Sequence, residues 1–325
     1  MTKYIGRRVN VGLAKEAIRG TPVAASFWVP KSAVAYGDKT TKQKSKLNYG
    51  VIGGSNQAPK VLEWADGSIE GDVFDKSFGL LLLAAFGSDT VTGPSDSAYT
   101  HTFSISNNNQ HQSLTLTLAD PDQTDQYALA MLDSLEVDIV PGDVATFKAN
   151  LVSRTGKKVA AASPSYIAEN KFLGRHATIK VASLATGLGA ATALSVKNLK
   201  LTIAKNAKQN NILGTVWPDD ILNTYFEISG QITLDLDDQT FRQYMLDGSY
   251  KALRVDLLNS DALIGTSSRP QLTLDLSRVE FESWEPSRSG NDDIVTQSIQ
   301  FSALYDITNG NIVNSCTLIN AQSSY

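Results

Sequence analysis

The strongest constraint on this chain is that it repeats itself. Residues 67–83 read GSIEGDVFDKSFGLLLL and residues 230–246 read GQITLDLDDQTFRQYML. At a constant offset of 163, Gly67 falls on Gly230, Ile69 on Ile232, Asp72 on Asp235, Asp75 on Asp238, Phe78 on Phe241 and Leu83 on Leu246. The shared pattern is a strand, an Asp-x-[Ser/Thr] helix start and an amphipathic helix. A second pair agrees, Leu132–Gly142 against Leu276–Pro286, each followed by one more alternating strand. A chain built this way folds the same β-rich unit twice, and internal repetition of this kind points to pseudo-symmetric assembly.

The length of 325 residues accommodates two units of about 100–200 residues, each able to bury a core. No apolar run approaches the roughly 18 residues a membrane span needs, and the longest, Leu80–Phe86, reads as a buried helix. The opening residues lack the apolar core of a signal peptide, so synthesis in the cytoplasm is expected. A single cysteine, Cys316, cannot close an internal disulfide. Charge is unevenly spread: residues 1–60 carry 11 Lys/Arg against 2 Asp/Glu, whereas the remainder carries 18 against 31. A basic arm on an acidic body favours self-association, arm to neighbouring body.

The pattern along the chain predicts an N-terminal segment to Pro22 and a first strand over Phe27–Val34. A polar, Lys-rich loop or hairpin excursion follows over Asp38–Lys60, then a strand over Val61–Val73. Asp75 stands at the N-cap of a helix that Gly87 ends, and Thr90–Ala98 reads as a loop. Alternating strands follow at Tyr99–Ile105, Leu114–Leu118, Ala128–Val140 and Val144–Val152, with Gly156–Leu173 as linker. The second copy repeats the order through Leu304, and the polar Asp306–Tyr325 tail is expected to lie across a surface.

Catalytic constellations are scarce. His101, His111 and His176 form no helical i,i+4 pair and read as surface or loop residues. Gly187–Thr192 lacks the βαβ setting of a dinucleotide loop, and Asp235, Asp237 and Asp238 lack the turn glycine and terminal Glu of a calcium loop. Neither enzyme activity, nor a cofactor, nor a metal is expected. What recurs instead is paired carboxylates two residues apart: Glu70 and Asp72, Glu136 and Asp138, Asp235 and Asp237, Glu280 and Glu282. Strand side chains alternate faces, so each pair shares a face with apolar residues behind it. Like charges crowded on one face cost stability, and an acidic surface that repels a polyanion is a use that explains the cost.

At this point the chain resembles the tail tube, or major tail, proteins of long-tailed, non-contractile bacteriophages. Val11–Val23 is similar to the family's opening Gly-x-Glu and Gly-Thr-Pro-Val pattern. Trp28-Val-Pro30, the Lys-rich loop, Gly67-Ser-Ile-Glu-Gly71, Tyr99–Phe103 and Asn198–Ile203 also fit in order and spacing. The resemblance implies a mainly β fold of two tandem tail-tube β-sandwiches or half-barrels, each with one flanking helix. The expected layout is a first tail-tube domain over residues 1–160, with the N-terminal arm and the Lys-rich loop, a second over 161–306, and a C-terminal tail over 307–325.

The resemblance further implies a structural virion protein, assembled in the bacterial host cytoplasm and located in the virion tail. Its partners are further copies of itself, a tape-measure protein, and tail terminator and tail-tip proteins at the ends. DNA is expected to pass through the lumen without specific binding, and no membrane is involved. With two domains per chain, a trimeric ring of pseudo-sixfold symmetry is the simplest expectation. Glu70, Asp72, Glu136, Asp138, Asp235, Asp237, Glu280 and Glu282 are candidates for the lumen lining. Lys39, Lys42, Lys44 and Lys46 are candidates for contacts between rings. The alternative is a surface β-sandwich adhesin or carbohydrate-binding module, which calls for exposed aromatic platforms; Trp64, Trp217 and Trp284 read rather as core plugs.

Overall fold

The computed structural model describes residues 3–288 and 294–325. The first copy runs β1 (Asn10–Lys15), β2 (Phe27–Val29), β3 (Lys31–Lys42), β4 (Lys60–Asp72), α1 (Phe78–Phe86), β5 (Gly87–Ser95) and β6 (Ala98–Ile105). It continues through β7 (Leu114–Ala119), β8 (Thr124–Ile139), β9 (Thr146–Ser153) and β10 (Lys157–Val159). The second copy runs β11 (Ala177–Ala182), β12 (Val196–Ala204), β13 (Ala207–Asn210), β14 (Asp220–Asn223), β15 (Glu227–Asp235) and α2 (Thr240–Leu246). It ends with β16 (Lys251–Leu258), β17 (Gln271–Ser287), β18 (Thr296–Ala303) and β19 (Val313–Asn320). The fold is mainly β, antiparallel throughout the named pairings, with two α-helices among the described residues.

Strand pairing reproduces the repeat. β3–β4–β9–β8 in the first copy matches β12–β15–β18–β17 in the second, and β1–β7–β8 matches β11–β16–β17. Short β10 and β19 take the same place beside the first half of β8 and of β17. The two long strands pass from one layer of a β-sandwich into the other. β8 turns at Leu129, whose backbone is left-handed (φ 56°) and whose N–H donates to the buried Glu16 carboxylate at 2.8 Å. Both long strands bulge on the way, between Leu132 and Ser134 opposite β9 and between Phe281 and Ser283 opposite β18.

The register corrects one alignment made from sequence. Gly67 sits opposite Leu151 and Gly230 opposite Phe301, so Leu132 corresponds to Phe281, not to Leu276, and Glu136 corresponds to Glu285. Glycine is required at the anchoring positions because backbones close in: a Cβ at Gly67 would meet the carbonyl of Ala35, and one at Gly230 would stand 2.5 Å from that of Lys200.

The copies are fused edge to edge. The second half of β8 pairs with β12, Val137 opposite Leu201 and Glu136 opposite Thr202, so one sheet runs from β3 through to β17. Helix α1 lies beneath this junction with all nine residues buried. Its Phe78, Leu82 and Phe86 face Leu199, Leu201 and Leu272 of the second copy across a small apolar cavity of about 30 Å³. Gly87 ends the helix at φ 93°, and its N–H donates to the Leu83 carbonyl.

Other local expectations change. Asp75 is fully buried but does not cap α1; its carboxylate accepts from the N–H and the side-chain amide of Asn170, both at 2.8 Å. Gly87–Ser95, covering most of the expected loop, is strand, and Asp96 at its turn accepts from the backbone of Thr266, Ser267 and Ser268 of the second copy. Asp306–Tyr325 does not lie across a surface. Within it β19 inserts between β17 and β6, burying Cys316 and Leu318, because its alternate apolar residues meet the core.

Candidate assembly surface

The outer face of the continuous sheet brings the paired carboxylates together. A single cross-strand row reads Glu70, Lys148, Glu136, Thr202, Ser229, Ser302 and Glu280, passing over seven strands. The adjacent row reads Asp72, Thr146, Asp138, Lys200, Gln231, Gln300 and Ser283. Asp235 ends β15 opposite Thr296 on the same face. The opposite face carries Ile69, Phe147, Val137, Leu201, Ile228 and Ile299, all buried.

Two of the eight candidates fall outside that regular array. Asp237 is exposed in the turn beyond the end of β15, and Glu282 is the extra residue of the β17 bulge. The argument from crowded like charge also changes, because the sheet supplies lysines between the acids. Lys148 Nζ lies 3.1 Å from Glu70, Lys200 Nζ 3.1 Å from Glu136, Lys171 Nζ 2.6 Å from Asp72 and Lys197 Nζ 2.6 Å from Asp235. The face is therefore polar and charge-paired with an excess of carboxylates. Lys148 and Lys200 alternate correctly with apolar neighbours in the sequence, but their pairing to acids depends on which strands become adjacent.

The four candidate lysines lie on the β3–β4 hairpin. Its ladder extends past the named strands through Gln43 N–H to Pro59 O at 3.0 Å and Ser45 N–H to Gln57 O at 3.1 Å. Lys39 is 3.8 Å from Asp66, while Lys42, Lys44 and Lys46 point into solvent. Sequence reading missed the tip, where Leu47, Tyr49, Val51 and Ile52 are all exposed. The signal was present as a clustered apolar stretch inside a polar segment. Exposed apolar groups gathered on a projecting arm mark an interaction site.

Groups able to do chemistry are committed elsewhere. The histidines are buried, contrary to the surface reading. His101 bonds Asp89 and the Gln322 carbonyl, both at 2.8 Å, His111 bonds the Ser106 carbonyl at 2.7 Å, and His176 bonds Asp261 at 2.9 Å. The Gln322 carbonyl and Asp261 reach His101 and His176 only with the tertiary fold. Ser106 stands five residues from His111, and Asp89 lies across the β5–β6 hairpin from His101. Burial pushes the Cys316 thiol well above its usual range, which leaves it unreactive. Among the described residues no three His, Cys, Asp or Glu side chains gather as metal ligands. Of the tryptophans, Trp28 is buried, Trp64 and Trp284 are half-buried, and Trp217 is exposed instead of plugging the core.

The N-terminal motif has a structural role that sequence did not reveal. Glu16 is buried between layers, and its two oxygens accept from Gly20 N–H (2.7 Å), Ser113 Oγ (2.7 Å), Thr115 Oγ1 (3.0 Å) and Leu129 N–H (2.8 Å). It ties the N-terminal segment to the place where β8 changes layer.

No curated protein matches the chain. Residues 6–303 match the model of a family described as phage tail tube protein, so nearly all of both copies is covered. A duplicated β-sandwich with a continuous sheet and a projecting hairpin accords with that match, and the chain belongs to the phage tail tube protein family.

Proposed function

We propose that this structural tail protein polymerises into trimeric rings of six quasi-equivalent sandwiches, stacked head to tail around a tape-measure protein, and that the resulting lumen conducts DNA. The observation that carries this reading is the fusion of β8 to β12. It makes one sheet, polar on one side and packed on helix α1 on the other, with the architecture of a section of tube wall. A closed barrel removes the open edges that otherwise promote aggregation.

The outer sheet face is assigned to the lumen. Its lysines are matched with carboxylates, so few cations are left to hold phosphate, and the acidic excess repels it. The lysine-flanked apolar hairpin tip is assigned to the adjacent ring. In this reading Asp237 and Glu282 contribute charge at the rim of the face, not to its regular rows.

Electron microscopy of the purified protein over a concentration series tests this directly. Hollow tubes with threefold rings and six lobes are expected, with Glu70, Glu136 and Lys148 facing the lumen. Rings of six chains would overturn the trimer, and those side chains on the tube exterior would overturn the lumen assignment. Monomers at every concentration, even with the tape-measure protein added, would overturn polymerisation itself.

A further inference from the structure

We infer that the β8–β12 junction inside the chain is the template for the junction between chains, with the second half of β17 and helix α2 of one subunit docking on β3 of the next in a defined register. This rests on the ring-forming function proposed above, and it specifies the partner surfaces.

The first observation is an unmatched pair of edges. β8 pairs with β9 on one side of Ser134–Ile139 and with β12 on the other. The corresponding stretch of β17 pairs with β18 on one side, and no described strand lies along its other side at Ser283–Pro286. Reciprocally, β12 is paired on both sides, by β15 and β8, whereas among the described residues its counterpart β3 is paired only by β4. The vacant edges are therefore the two halves of the internal junction, one at each end of the same sheet. Joining unlike edges is a heterologous contact, which closes into a ring when the rotation is suitable.

The register follows from residues already placed. Tyr36 lies opposite Gly67 as Leu201 lies opposite Gly230, so Tyr36 corresponds to Leu201. Val137 lies opposite Leu201 and Glu136 opposite Thr202. Transferring these pairs sets Pro286 opposite Tyr36 and Glu285 opposite Gly37 of the neighbouring copy. The faces agree: Trp284, Pro286, Val34 and Tyr36 belong to the half-buried core side, while Glu285 extends the outer polar face.

The second observation is independent of the strands. Helix α1 is sealed by the second copy, whereas α2 packs Phe241 on Phe281 of its own sheet and leaves its far side open. Leu83 is 3% exposed, but its equivalent Leu246 is 59% exposed, with Tyr250 also exposed nearby. Beside β3 runs an open groove of about 960 Å³ whose lining mixes Val9, Pro30, Ala33 and Val34 with Arg7 and Lys31. An uncovered apolar helix side at one end of the sheet and an open groove at the other match the arrangement that covers α1 internally.

A double cysteine variant, Gly37→Cys with Glu285→Cys, tests the register. Gly37 has open space for a Cβ and no left-handed backbone, Glu285 is exposed, and the native Cys316 is buried. Oxidation under assembly conditions, read on non-reducing gels beside microscopy, is expected to give a covalent species closing at three chains. Gly37→Cys with Pro286→Cys, a one-residue slip that puts the thiols on opposite faces, is expected to give at least tenfold less cross-linking. Leu246→Asp is expected to leave folded, soluble monomers by circular dichroism and to abolish rings.

Rings that form without bridging positions 37 and 285, or that form unchanged in Leu246→Asp, would overturn the junction while leaving the tube reading intact. Failure of the unmodified chain to assemble, with or without the tape-measure protein, would overturn both.

Discussion

The ring of the C-terminal Tyr325 occupies the space beside Gly79 where a side chain would otherwise stand, and its hydroxyl donates to the Lys76 carbonyl at 2.6 Å. The final residue of the second copy thereby closes over the helix of the first. Asn320 bonds the same hydroxyl and the Asp75 carbonyl, both at 2.7 Å, and the β19–β6 ladder continues the contact. Gly79→Ala is expected to overpack this site and cost about 1–3 kcal/mol, measured by denaturant unfolding. The same variant should raise hydrogen exchange along β19 while leaving β9 protected.

Glu16 should be among the costliest single positions in the first copy. Replacing it with alanine leaves four donors without their acceptor in a buried place. The expected loss is at least about 3 kcal/mol. Calorimetry of Glu16→Ala against the conservative Glu16→Gln, which keeps one acceptor oxygen, reads the difference.

Lys205 is fully buried, and its ammonium donates to the Ala84 carbonyl near the end of α1 at 2.6 Å. Burial, with a lesser contribution from the Arg19 guanidinium, lowers its pKa to about 7. The folded chain then binds fewer protons at this group than the unfolded chain does between pH 7 and the ordinary lysine range. Stability should therefore rise with pH across that window, by at most about 1.4 kcal/mol per unit, and the full penalty should be present below pH 7. Unfolding of wild type and Lys205→Met from pH 7 to 9 is expected to show this slope only in wild type.

The hairpin tip should matter for stacking and not for folding. Changing Leu47, Tyr49, Val51 and Ile52 together to serine removes exposed apolar area. Monomer stability should change by no more than about 0.5 kcal/mol per site. Sedimentation and microscopy should then find single rings in place of tubes. Long tubes in this variant would remove the tip from the stacking contact.

The paired carboxylates show where sequence reading reaches its end. Alternation correctly put Glu70 with Asp72 and Glu136 with Asp138 on shared faces, because a strand's period is a local property. The bulge at Phe281–Ser283, which puts Glu282 outside the regular rows, was invisible to that reasoning because it has no local signature. Glu136 corresponds with Glu285 instead of Glu280 because pairing with β9 and with β18, not local pattern, fixes the register. The histidines illustrate the same boundary. Asp261 and the Gln322 carbonyl, 85 and 221 residues away, become partners of His176 and His101 only in the tertiary fold.

By itself, then, the amino-acid sequence determined a chain of two β-rich copies, the strand-to-helix passage in each, the glycines at Gly67 and Gly230, and membership of a tail-tube pattern. These depend on period, turn chemistry and residue size within a few neighbours. Only the tertiary structure decided that β8 joins β12, that Lys148 and Lys200 neutralise part of the acidic face, that β19 crosses to β6, and that Leu83 of α1 is buried while Leu246 of α2 is exposed. Those outcomes are set by contacts between residues far apart in the chain, where backbone hydrogen bonding accepts any strand and the buried apolar surface chooses the partner.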